Sequence, residues 1–81
     1  MELIDNKNAD IRLDGDHGIL YLKNMLFGTM IFLYNGKGEI QAEWQYSSLE
    51  ISHQLSQSGM YVIVITYASD IVVKRVFYED I

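Results

Sequence analysis

The side chains able to do chemistry in this 81-residue chain are few, and their spacing assembles none of the common catalytic sets. His17 and His53 are its two histidines, and no Ser or Asp spacing singles either out as the base of a nucleophilic triad. Both read as solvated loop histidines. Asp14-Gly15-Asp16-His17-Gly18, with Asp10 upstream, has the acid density of a calcium loop. An EF-hand loop also needs a bidentate Glu at its twelfth position and a helix on either side. Counting from Asp14, that position is Met25, so an acidic turn is the expectation. General acid–base work wants two carboxylates across a cleft, one in a setting that raises its pKa. Carboxylates are plentiful here, but none has such a setting. Gly36-Lys37-Gly38 is too short to cradle a phosphate and opens no helix. The chain therefore reads as non-catalytic, with no catalytic residue, no metal ligand and no cofactor expected.

Composition narrows the partners. Six Lys and Arg against eleven Asp and Glu give a formal net charge of -5, and of the basic residues only Lys74 and Arg75 are adjacent. Binding nucleic acid needs a basic face to neutralise phosphates, so no nucleic-acid partner is expected. The same charge repels an anionic membrane surface. With no cysteine, disulfide and thiolate chemistry are excluded. No apolar run approaches the roughly 20 residues of a membrane-spanning helix, and Met1 to Asp10 is too polar and acidic for a signal peptide.

The elements that would position these residues are short apolar runs separated by turn chemistry, the pattern of a sandwich or barrel. Strands are expected over Ile11 to Asp14, Ile19 to Met25, Thr29 to Tyr34 and Ile40 to Tyr46, then around Leu49 and Ile51. Met60 to Tyr67 and Ile71 to Tyr78 complete the set, joined by a turn at Ala68-Ser69-Asp70. Asn35-Gly36-Lys37-Gly38 is the strongest hairpin signal, since Asn and Gly accept positive φ. In the returning strand Ile40, Ala42, Trp44 and Tyr46 share one face, which makes Trp44 a core residue. No segment has a helical period. The expected fold is an all-β, immunoglobulin-like antiparallel β-sandwich of about seven short strands. It would occupy residues 9–81, behind a flexible polar segment at 1–8.

One feature exceeds what a small core needs. If Tyr61, Ile63 and Ile65 point inward, Val62 and Val64 point out. Inward Ile31 and Leu33 likewise leave Met30, Phe32 and Tyr34 outside, and Val72 and Val76 flank Lys74 on the expected outer side of the last strand. In such a sandwich these strands share a sheet, so Met30, Phe32, Tyr34, Val62, Val64, Val72 and Val76 form a candidate interface. Arg75 would then point inward, which calls for a bulge or an edge position near Lys74-Arg75. Gly59 can take a backbone conformation closed to other residues, and Tyr61 is placed to act as a tyrosine corner.

Three stretches carry a family resemblance: GTMIFLYNGKGEI from Gly28 to Ile40, Leu49 to His53 with Leu55 to Tyr61, and IVVKRVFY from Ile71 to Tyr78. Together they resemble the C-terminal sorting domains of the type IX secretion system and related Ig-like domains of Bacteroidetes secreted proteins. Gly59, Tyr61, Lys74 and Arg75 are the positions that match the family's motifs. The resemblance implies a secreted or cell-surface module that works by protein recognition, its partner being secretion machinery or its own passenger domain. The alternative is an autonomous small protein that forms a homodimer.

Overall fold

The computed structural model describes Asn6 and residues 8–79. Among them are seven strands and no helix: β1 (Asp10–Asp14), β2 (Ile19–Lys23), β3 (Met30–Asn35), β4 (Ile40–Gln45), β5 (Glu50–Gln54), β6 (Gly59–Tyr67) and β7 (Asp70–Tyr78). They form two antiparallel sheets, ordered β1-β2-β5 and β4-β3-β6-β7. The chain changes sheet between β2 and β3, again between β4 and β5, and again between β5 and β6. This is the expected immunoglobulin-like β-sandwich, with β4 hydrogen-bonded beside β3. No helix among the described residues is long and apolar enough to cross a membrane.

Alternation along the strands builds the core. Leu20 and Leu22 of β2 face Ile31 and Leu33 of β3 and Tyr61, Ile63 and Ile65 of β6, all buried. Ile11, Leu13, Ala42, Trp44, Ile51, Val72 and Val76 pack around that centre, and Tyr46, Leu55 and Tyr78 close its ends. β-Branched and aromatic side chains suit the pleated surface, so packing and local preference agree.

One expectation about local geometry is corrected. Ile40 does not share the face of Ala42 and Trp44. The β3–β4 register shifts by one residue, with Leu33 opposite Ala42 but Tyr34 opposite Ile40, so Gln41 is the extra residue and Ile40 sits exposed. A bulge of this kind swaps the faces beyond it. The β3–β4 hairpin forms at the expected Asn35-Gly36-Lys37-Gly38, and its left-handed residue is Gly38, at φ 82°. Asn35 instead organises the turn with its side chain, whose Oδ1 accepts from the N–H groups of Lys37 (3.0 Å) and Glu39 (2.9 Å). Gly38 N–H closes the turn onto the Asn35 carbonyl at 3.0 Å. A left-handed glycine ending a turn is the usual solution for a three-residue hairpin loop.

The expected flexible segment 1–8 lies outside the described residues except at Asn6 and Asn8. Asn6 is only 4% exposed. Its Nδ2 donates to Thr29 Oγ1 (3.1 Å), and its Oδ1 accepts from Leu26 N–H (2.9 Å). Its carbonyl accepts from Ala9 N–H at 3.0 Å. A buried amide must have its hydrogen bonds met, and these contacts tie Asn6 into the link between β2 and β3. The folded unit therefore includes Asn6.

Candidate protein-binding face

The two sheets present opposite kinds of outer surface. On the three-stranded sheet the outward positions are Asp10, Arg12 and Asp14 of β1, Ile19, Tyr21 and Lys23 of β2, and Glu50, Ser52 and Gln54 of β5. That is the polar outer side normal for an antiparallel sheet in water. Arg12 pairs with Asp10 at 3.2 Å, and Lys23 lies 3.9 Å from the same carboxylate. A depression of about 220 Å³ opens here, lined by Asp10, Arg12, Tyr21, Lys23 and Glu50. Its charges largely compensate one another.

The four-stranded sheet is different. Its outer face runs in cross-strand rows, read from β4 to β7. The first is Gln45, Met30, Thr66 and Ile71; the second is Glu43, Phe32, Val64 and Val73. The third is Ile40, Tyr34, Val62 and Arg75, and beyond it Met60 pairs with Phe77. Ile40, Met60, Ile71, Val73 and Phe77 are all between 47% and 68% exposed. Of the large exposed apolar side chains among the described residues, only Phe27 and Leu49 lie off this face. Soluble domains rarely leave so many contiguous apolar side chains in water unless something binds there.

The expected interface is thus brought together on β3 and β6 and corrected on β7. Met30, Phe32, Tyr34, Val62 and Val64 all lie on the outer face. Val72 and Val76 do not: they stand opposite Ile65 and Tyr61 and pack on the core. The outward residues of β7 are Ile71, Val73, Arg75 and Phe77. Arg75 accordingly points out, opposite Val62, and the β6–β7 register runs without a bulge. Lys74 takes the inward phase opposite Ile63, at an edge where its long stem still reaches solvent. A local signal for this phase exists in the sequence. A two-residue hairpin at Ala68-Ser69 pairs Tyr67 with Asp70, which sets Val72 opposite Ile65.

The remaining singled-out residues have structural surroundings. Gly59 has φ 140°, open to glycine and strained for other residues. Two residues on, buried Tyr61 donates its hydroxyl to the Gln57 carbonyl at 2.7 Å, the bond expected of a tyrosine corner. Asp14 acts on its own turn: its carboxylate accepts from the N–H groups of Asp16 and His17, and its Oδ2 lies 2.9 Å from His17 Nδ1. The hydrogen bond to His17 is the main cause that holds the Asp14 pKa below its ordinary value. His53 is not a loop residue. It lies in β5, half-buried and edge-on to Trp44 with ring centroids 5.2 Å apart, and burial lowers its pKa. Among the described residues no three His, Asp or Glu side chains converge.

Fold and face together define a small β-sandwich module with one wet and one apolar sheet surface. No protein-family model matches the chain, and no curated protein matches it.

Proposed function

We propose that this chain is a non-catalytic protein-recognition module whose docking surface is the outer face of β4-β3-β6-β7. One observation carries the reading: the three-stranded sheet wears the polar exterior of a solvated sheet, whereas the four-stranded sheet exposes Ile40, Met60, Ile71, Val73 and Phe77 around Phe32, Tyr34, Val62 and Val64. The face serves better than the edge. Of this sheet's two edges, β7 carries Lys74 and Arg75 in its middle and β4 carries the bulge at Gln41, and charges and bulges both discourage another strand from pairing.

The resemblance to type IX sorting domains extends the proposal to a secreted or cell-surface setting, with secretion machinery or a passenger domain as partner. The test is a fusion of the full chain to a reporter in a host that carries this machinery. Export of the native fusion and retention of a folded Val64→Lys fusion is the expected result. A reporter that stays inside in both cases removes the sorting role, and equal export of both removes the face as the recognised surface.

A further inference from the structure

On this reading of the face, we propose that its occupant in the free protein is a second copy of the chain. The two copies pack four-stranded sheet to four-stranded sheet about a twofold axis that runs parallel to the strands, between β3 and β6.

Charge placement carries the inference. Within the strands, Glu43 and Arg75 are the charged residues of the outer face, one of each sign. They stand on opposite edges, Glu43 on β4 and Arg75 on β7, with two strands between them. Among the described residues neither is in an ion pair within the chain. Within its strands the face is therefore neutral, although the chain carries a net charge of -5.

With the strands of the two copies aligned, as in most face-to-face sheet packings, two twofold axes can lay this face on its own copy. An axis across the strands puts β4 on β4 and β7 on β7, which sets Glu43 near Glu43 and Arg75 near Arg75. An axis along the strands puts β4 of each copy over β7 of the other. Glu43 then meets the other copy's Arg75, and symmetry makes the contact twice. The two residues lie one row apart, an offset of about 7 Å along the strand, which two long side chains span. Opposite charges select the second axis, since like charges juxtaposed across an interface are strongly unfavourable.

The apolar content and area fit the same arrangement. The axis passes among Phe32, Tyr34, Val62 and Val64, so these side chains interdigitate with their own copies, as facing sheets do at about 10 Å separation. Four strands about 4.8 Å apart, each running roughly 20–30 Å, present about 500 Å² in flat projection. Side-chain relief carries that toward the roughly 800 Å² per partner of a standard specific interface.

Sedimentation equilibrium of the full chain tests this, with folding followed by circular dichroism. The native chain is expected to dimerise in the micromolar range. Glu43→Arg and Arg75→Glu each place like charges together twice and should weaken the dimer at least about tenfold. The double variant should recover it. An equimolar mixture of the two single variants should form a one-to-one heterodimer, because each then supplies the charge the other lacks. Should a swap unfold the chain, Glu43→Gln and Arg75→Gln substitute for it, each weakening the dimer more mildly. The proposal is overturned by a native chain monomeric up to millimolar concentration, by a dimer indifferent to the substitutions, or by single variants that stay apart when mixed. A monomeric chain whose export still depends on Val64 would remove the second copy and leave the docking face standing.

Discussion

The Tyr61 hydroxyl donates to the Gln57 carbonyl at 2.7 Å, pinning the start of β6 to the connection that delivers it from the other sheet. Tyr61 is also buried, so ring packing and hydrogen bond act together at this corner. Tyr61→Phe keeps the ring and leaves the carbonyl without its donor. The expected loss is about 1 kcal/mol, read as a lower urea midpoint at unchanged slope. An unchanged midpoint would show that water replaces the hydroxyl at no cost.

Asn6 makes a second tie between distant parts of the chain. Asn6→Ala leaves Leu26 N–H without its acceptor and the buried Thr29 hydroxyl without its donor. The expected destabilisation is about 1–3 kcal/mol, with faster amide exchange at Leu26. Truncation to residues 9–81 should cost at least as much. Equal stability of the long and short chains would refute the anchor.

Gly18 lies under the Tyr78 ring. A Cβ built at Gly18 falls 2.6 Å from Tyr78 Cζ and Oη, and φ is 67°. The Gly18 carbonyl also accepts from Leu55 N–H at 2.8 Å, so the backbone has little room to move. Gly18→Ala combines left-handed strain with overpacking and should cost roughly 2–4 kcal/mol. Gly15→Ala, with nothing near its Cβ, is the control and should stay within about 0.5 kcal/mol. Similar melting of the two variants would rule out the close approach.

Burial holds the His53 pKa below its ordinary value of 6.5, so the folded chain takes up this proton less readily than the unfolded chain. Its contribution to stability is complete above the unfolded value and is lost as pH falls through 6.5 toward the lower folded pKa. Asp14, whose pKa is also lowered, acts in a separate window. Its contribution is present above the ordinary value of 3.8 and disappears as pH falls below it. Denaturation series between about pH 7 and 5 should therefore show declining stability, with a shallower slope in His53→Gln. Parallel slopes would mean that His53 is solvated in the folded chain.

The strands were legible because apolar alternation and turn residues point the same way, as at Thr29 to Tyr34 and Met60 to Tyr67. So was the outer face of β3 and β6, since Ile31 and Ile63 could only be core if Phe32 and Val64 were not. What escaped depends on pairing between strands. β7 is apolar on both faces, so alternation alone leaves its phase open, and the register from the Ala68-Ser69 hairpin, which ends with Tyr61 opposite Val76, decides it. Ile40 left its expected face because a single extra residue, Gln41, shifts the register. Asn6 gave no periodic signal, because its side-chain partners lie 20 and 23 residues away.

The outer face of the four-stranded sheet is where this protein is expected to meet another protein chain. Val64→Lys should leave the fold intact, costing no more than about 1 kcal/mol, while placing a charge at the centre of that face. The most direct measurement is a methyl NMR series on the native chain from micromolar to millimolar concentration, repeated with Val64→Lys. Concentration-dependent shifts at Met30, Val62, Ile71 and Val73, absent in the variant and absent at Ile19 on the opposite sheet, are the expected result. Shifts centred on Ile19 and its neighbours would contradict it, whereas no shift anywhere on the native chain would remove only the second copy as the occupant.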